Sequence, residues 1–532
     1  MNRILRRANK RISLSGAATL LIASSFISQI LGFLRVKLVN ANFVATGPNS
    51  TDAFFAAFKI PDFFFFTIAA GALGVAFMPV LAEHLHKHDR KGVWSLSTSL
   101  MNLLTVIMFV VGLIIFIFAQ PLIHYIVAPK LDPQQTHNAV MIMRLIAFNP
   151  MLFTISGVLT SVQQTFGRFL FYAMAPILYN LSIIFSIFIF RDNVGLVGLG
   201  IGALIGALLQ LFISFLGLVG LDFHYNRKID LSMPDFRRIL RQLPPRSIDQ
   251  GIMSINSIVD TNFARRLGTG YISFYENAYT LHTAPTLLIG TAISSAVFPR
   301  MNDKLAKGDE AGFHREFLMV LRVMIWISTP VIVVCYFARG YLARMIFSRN
   351  APEIAVIFGF LCGAIFFRTI YTIVSRYFYA KKDTWTPLID SLFAIVLNIV
   401  LVMNLAKPST YGASGIALAE SIVAGCQLFI LSSIMLWRDP KLLNREFWSG
   451  VGRIFSVTGF SVIAAFTMIS LFPLSARDTG FITLGTKLAI ISSVTFGVHL
   501  ALSSLFSLDE AIPVVRKMRS VWRFMLRPIR MN

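Results

Sequence analysis

Apolar runs long enough to cross a bilayer recur along this chain from near residue 17 to near residue 506, with no long polar interval between them. A helix needs about 20 mainly apolar residues to span the hydrocarbon core. Runs of that length fall near 17–43, 51–83, 93–118, 136–160, 169–190, 195–219, 245–264, 272–302, 316–338, 352–378, 385–404, 412–436, 451–471 and 482–506, about fourteen in all. With 56% hydrophobic and 14% charged residues, the 532-residue chain has too little polar surface to coat a water-soluble globule. The sequence therefore predicts an all-α polytopic membrane protein with no sizeable soluble domain.

The net charge of +23 could suggest a nucleic-acid partner, but the basic residues lie in short segments between apolar runs and at the two tips. That pattern reads as topology and predicts no nucleic-acid binding. Arg3, Arg6, Arg7, Lys10 and Arg11 precede the first run, and Arg516, Lys517, Arg519, Arg523, Arg527 and Arg530 follow the last. The positive-inside rule then places both termini in the cytoplasm, which requires an even number of crossings. The inside loops agree through Lys87, Arg90 and Lys91, then Arg227 to Arg246, Lys304 and Lys307, Lys381 and Lys382, and Arg438 to Arg445. Residues 41–51, on the outside, carry no charge, whereas Arg265 with Arg266 and the Arg339, Arg344, Arg349 set are exceptions.

Shifting the sequence on itself by 220 residues superposes Ala72/Ala292, Ala76/Ala296, Pro79/Pro299, Leu85/Leu305, Lys87/Lys307, Asp89/Asp309 and Gly92/Gly312. Further on, Pro176 meets Pro387, and Gln210-Leu-Phe-Ile meets Gln427-Leu-Phe-Ile. Spans 1–6 and 7–12 thus read as two copies in the same orientation, two six-helix lobes around a central cavity, as in alternating-access transporters. The expected organisation is an N-lobe at 1–220, a cytoplasmic amphipathic linker at 221–244, a C-lobe at 245–437, and spans 13 and 14 with a basic tail at 438–532. The two extra helices would serve a lipid tail or act as a packing appendage.

A charge at mid-bilayer costs about 2.5–3.5 kcal/mol on translocon scales, so each in-span charge is a candidate for function or pairing. These are Arg35, Lys37, Asp52, Lys59, Asp62, Arg144, Asp249, Asp260, Glu276, Arg322, Arg368, Arg376, Asp390, Glu420 and Lys487. Arg322, Arg376 and Asp249 are close enough to span ends to anchor there. Arg35 and Asp52 flank the uncharged loop and could pair across the first hairpin, as a structural bridge or as a phosphate-binding fork with its orienting carboxylate. Lys59, seven residues beyond Asp52, shares its helix face. Pro61, Pro79, Pro285 and Pro299 predict kinks in corresponding helices of the two lobes. Cys335, Cys362 and Cys426 lie inside apolar runs and form no zinc spacing. His84, His86 and His88 read as a solvated loop, so no metal or cofactor is expected. No phosphate-cradling loop is present, and no enzyme constellation survives.

The stretch Ser28-Gln-Ile-Leu-Gly-Phe-Leu-Arg35, with Thr51-Asp-Ala-Phe-Phe-Ala-Ala-Phe-Lys-Ile-Pro61 and Ala76-Phe-Met-Pro-Val-Leu-Ala-Glu83, resembles the opening of the MurJ (MviN) lipid II flippases of the MOP exporter superfamily. The resemblance implies export of undecaprenyl-pyrophosphate-linked peptidoglycan precursor across the bacterial inner membrane, with a cationic central cavity and a groove by spans 13 and 14 for the tail. It also implies cavity roles for Arg35 and Asp52, and Lys59 belongs to the same pattern. The chain departs from the family at Gln29, Phe65, Phe66, Ala70 and Thr280, where cavity charges are expected, and Arg368 and Arg144 are the in-span cations that would replace them.

The expected function is therefore a lipid II flippase working by alternating access, assisted by the membrane potential or a coupled ion, with membrane lipids and a lipid-linked glycan as its partners. A flippase for another polyprenyl-linked glycan, a drug exporter of the same superfamily, and a non-transporting scaffold are the alternatives.

Overall fold

Hydrocarbon offers a backbone amide no hydrogen-bond partner, so a chain of this composition satisfies its amides within helices. The computed structural model describes residues 14–70, 77–347, 349–512 and 514–516 and contains no strand among them. The basic segments at residues 1–13 and 517–532, the repeat positions Ala72 and Ala76, and the side chains of Ala70, Arg246 and Asp249 lie outside the described set.

Packing divides the chain into two compact units, Met1–Ser273 and Phe274–Asn532. In the first, helices run in the order α1 (Leu14–Asn42), α2 (Thr51–Phe64), α3 (Met78–His86), α4 (Arg90–Pro121), α5 (Pro133–Ile146), α6 (Asn149–Thr165), α7 (Leu170–Phe190), α8 (Val197–Leu216) and α9 (Pro234–Leu267). The next helix, α10 (Tyr271–Pro285), begins in the first unit and continues into the second. There follow α11 (Ala292–Ala306), α12 (Glu310–Phe337), α13 (Arg339–Ile346), α14 (Ala351–Ala380), α15 (Trp385–Leu405), α16 (Ala413–Arg438), α17 (Arg445–Leu471) and α18 (Phe481–Leu505).

Among the described residues, 12 helices are long and apolar enough to cross a membrane. They coincide with every predicted span except 51–83 and 245–264. The first of these is α2 with its continuation, which enters the undescribed residues 71–76. The second lies in α9, where Asn256, Asp260, Thr261 and Arg265 are each at most 7% exposed. These four side chains face protein, so their stretch needs no lipid-like composition. The predicted linker helix and seventh span are one 34-residue helix that runs through Pro244 and Pro245.

The first unit is built on α7 against α8 and α1, α4 against α6, and α2 against α5 and α9. One apolar core joins α3, α4 and α6 to the start of α9 through fully buried Phe77, Leu81, Leu100, Val158, Phe236 and Ile239. Segment 222–233 is tied to α4 by Asn102, whose Nδ2 donates to Asn226 O at 2.7 Å and whose Oδ1 accepts from Tyr225 at 2.8 Å. In the second unit α14 packs on α12 and α16, and α17 lies against α12 and α18. Phe313, Phe317, Tyr377, Phe378 and Ile454 are buried in its core.

The internal repeat has a physical basis in two local devices. Asp89 and Asp309 are the N-caps of α4 and α12, with φ/ψ of −84°/77° and −85°/73°. Each accepts a hydrogen bond from the glycine three residues on, at 2.9 Å from Gly92 and 2.8 Å from Gly312. A Cβ on Gly92 or Gly312 would stand 2.1 or 2.0 Å from the capping carboxylate, which explains why glycine follows aspartate in both copies. The second device is a π-helical turn, at Phe65–Ala70 after α2 and at Thr286–Thr291 after α10. Pro61 and Pro285 precede these turns. Proline removes an amide donor and crowds the preceding turn, and a π-turn absorbs the mismatch. The kinks predicted from these two prolines take this form.

Candidate functional site

The side chain of Asp52 is fully buried in the first turn of α2. Its Oδ1 accepts from Ser273 N at 2.8 Å and Ser273 Oγ at 2.6 Å, and its Oδ2 accepts from Gly270 N at 2.6 Å. Arg265 Nη1 stands 3.7 Å from Oδ2. Thr51 Oγ1 lies 2.7 Å from Ser273 Oγ, adding a second contact between α2 and the start of α10. Ser50 caps α2 by accepting from Asp52 N at 3.1 Å, which aims the carboxylate at the α9–α10 turn. Gly268 and Gly270 in that turn have φ of 145° and 93°, conformations that favour glycine, and they bring the Gly270 amide to the carboxylate.

Arg265 is only 4% exposed and is held from a second side by the Lys130 carbonyl, at 2.8 Å from Nη2 and 3.1 Å from Nε. The arrangement is a carboxylate clamp joining α2, the loop before α5 and the end of α9. The partner expected for Asp52 was Arg35, and the structure puts Arg265 there instead. The sequence carried one signal for it: Arg265 breaks the positive-inside pattern, as a cation retained for pairing does.

Arg35 lies on α1, partly exposed, in the electrostatic reach of Asp62 on α2 and Tyr179 on α7. Lys59 Nζ contacts Ser257 Oγ of α9 at 2.7 Å. Arg35, Asp52 and Lys59 thus all belong to the first unit, on two helices consecutive in the chain. Arg144 on α5 donates from Nε to Phe116 O at 3.2 Å, with its guanidinium 5.7 Å from the Phe116 ring centre. The contact supports the break in α4 at Phe118, whose φ/ψ is −94°/16°. The aromatic run Phe63 to Phe66 packs edge to face, and Phe65 also meets Phe153 at 5.6 Å.

Arg368 belongs to the second unit, on α14. Its Nη2 and Nε contact Glu420 Oε1 at 2.8 and 3.0 Å, and Nη1 donates to Gln427 Oε1 at 2.8 Å. The Arg368 and Glu420 side chains are 11% and 5% exposed. Gln427 is the residue that marked the repeat with Gln210. Asp390 on α15, 2% exposed, lies in the electrostatic reach of Arg368, and His282 on α10 is buried against Tyr279 with ring centres 5.1 Å apart. His282 carries no spacing signal in the sequence.

His84 does not stand free in a solvated loop. Its Nδ1 is 2.9 Å from Asp89 and its Nε2 is 3.0 Å from Asp235 of α9, while Arg238 pairs with Glu83 at 3.2 Å. The repeat-related Lys304 contacts Asp309 at 3.1 Å. Among the described residues, no group of three or more His, Cys, Asp or Glu side chains is placed to hold a metal.

A repeat-built bundle of membrane-spanning helices with charged side chains buried in its spans defines a polytopic membrane protein of the transporter type. The family described as "Lipid II flippase MurJ" matches residues 45–483. A Buchnera aphidicola (subsp. Acyrthosiphon pisum) protein described as "Probable lipid II flippase MurJ" is 26% identical over 463 residues, covering 84% of this chain and 88% of its own. A solved structure titled "Lipid II flippase MurJ, inward closed conformation" superposes with TM-score 0.74 at 21% identity over 92% of this chain and 98% of its own. An inward-facing multidrug-resistance MATE transporter of the MOP superfamily gives TM-score 0.68 at 16% identity, covering 79% of this chain and 98% of its own. The chain belongs to the lipid II flippase MurJ family.

Proposed function

We propose that this protein carries lipid II, the undecaprenyl-pyrophosphate-linked peptidoglycan precursor, from the inner to the outer leaflet of the bacterial cytoplasmic membrane by alternating access. The observation that carries this reading is the family match across residues 45–483. In this reading both termini are cytoplasmic, spans 1–6 and 7–12 act as the two lobes on either side of the 221–244 linker, and spans 13 and 14 accommodate the polyprenyl tail. Arg35 and Lys59 supply positive charge for the pyrophosphate, as an ammonium or guanidinium does for phosphate oxygens generally. Arg368 already makes three contacts with Glu420 and Gln427, so it acts on substrate only if those contacts exchange.

The Asp52 clamp supports a gating role. Three hydrogen bonds and one ion pair converge on one carboxylate, so α2 and the α9–α10 turn move together while it is closed and separate when it opens. The π-turns at corresponding places in the repeat supply bends about which such motion can occur. Outward movement of an anion from a negative interior gains about 2.3 kcal/mol per charge per 100 mV.

The test is depletion of the protein in its native cell, followed by a leaflet-resolved assay of lipid-linked precursors. Lipid II accumulating in the inner leaflet is the expected result. Accumulation of a different glycan carrier, or of none, overturns the assignment.

A further inference from the structure

A cavity of about 540 Å³ opens within the second unit, at the membrane end shared by the first turns of α12, the start of α17 and the residues just after α18. The apolar part of α12 begins near Phe317, so the cavity sits where a span passes into the headgroup layer. Three cations, Arg315, Arg322 and Lys441, and three carboxylates, Glu446, Asp509 and Glu510, line it. Asp509 and Glu510 already face Arg322, so Arg315 and Lys441 are the cations, and Glu446 the carboxylate, that an occupant carrying both charges would meet.

The floor of the cavity is built. Arg322 pairs through Nε with Glu510 and lies 3.6 Å from Asp509, its side chain 12% exposed and that of Glu510 3% exposed. A Cβ on Gly450 would stand 2.8 to 2.9 Å from the guanidinium, so α17 makes room for it. Even so, Arg322 Nη2 and Glu510 Oε2 are buried without a hydrogen bond. Nη2 is the atom that stands 3.6 Å from Asp509, so it has a counter-charge but no hydrogen bond, and Glu510 Oε2 has no donor; a ligand bearing both an anion and a cation would supply both. Leu318, Met319 and Val323 continue the wall with apolar surface, and Met319 is 53% exposed.

We propose that this cavity binds the headgroup of a zwitterionic phospholipid. The phosphate lies between Arg315 and Lys441 above Arg322 Nη2, the ammonium is received by Glu446 and Glu510 Oε2, and an acyl chain leaves along Met319. An anionic headgroup such as phosphatidylglycerol would satisfy the cations and offer hydroxyls, but bring no positive charge to Glu446 and Glu510. This inference is independent of the transported substrate.

The test uses the full-length protein purified in detergent and native mass spectrometry with dioleoylphosphatidylethanolamine or dioleoylphosphatidylglycerol. Retention of one phosphatidylethanolamine, about tenfold over phosphatidylglycerol, is expected from the added charged hydrogen bonds. Arg315→Ala with Lys441→Ala should reduce that retention about tenfold. Glu446→Gln should erase the preference between the two lipids, and Lys407→Ala, exposed elsewhere, should change nothing. Equal retention of the two lipids by the unaltered protein, undiminished binding by the double variant, or tighter binding of glycerophosphoethanolamine than of the lipid would each overturn the proposal.

Discussion

Arg265 and Asp52 form an ion pair at 3.7 Å in which the side chains are 4% and 0% exposed. Burial on this scale makes the pair expensive to break from one side, because the remaining charge keeps its desolvation cost and loses its compensation. Arg265→Ala should therefore destabilise the purified protein by about 3–5 kcal/mol, read as a lowered melting temperature in detergent. Asp52→Asn combined with Arg265→Gln should recover part of the loss, and an unchanged melting temperature in the single variant would refute the clamp.

Arg35 has a different expected signature. As the substrate contact proposed above, it should contribute to transport more than to folding. Arg35→Ala should abolish rescue of a depleted strain while leaving the amount of protein in the membrane unaltered, scored by growth and immunoblot together. Full rescue would remove Arg35 from the site.

Arg368 and Glu420 should behave as a coupled pair. Each is nearly enclosed, so Arg368→Gln or Glu420→Gln alone leaves one buried charge unpaired. The double variant should be more stable than the sum of the two losses predicts, with a coupling energy of about 0.5–3 kcal/mol in a thermal-melt cycle. Additive losses would indicate that the pair is not formed.

The Asp89 cap predicts an acid dependence. The Gly92 amide, and after it His84, hold the Asp89 carboxyl below the usual carboxylate range. Its folded pKa is thus lower than its unfolded one, so its contribution is complete at neutral pH and disappears as pH falls through the depressed value. Asp89→Ala should cost about 1 kcal/mol at pH 7, with faster amide exchange in the first turn of α4. The gap between variant and parent should close in acid, whereas a gap that widened there would contradict the assignment.

The composition and the length of the apolar runs determined the helical, membrane-spanning character of this protein, because hydrocarbon admits few alternatives for a backbone. The repeat was legible at Asp89/Asp309 and Gly92/Gly312 because a cap and the small residue beneath it are local chemistry, encoded within four positions. Charges in spans were equally visible as a set. Their partners were not, since Asp52 finds Gly270 and Ser273 about two hundred residues away, and Arg368 finds Glu420 on another helix. The run at 245–264 was visible in the sequence, yet α9 is not apolar enough over its length to be counted as a span, because whether a polar helix is tolerable in a membrane depends on what covers it. Sequence specified which side chains could not face lipid, and only tertiary packing decided which of them would neutralise one another, because pairing depends on distances between helices that a local pattern does not contain.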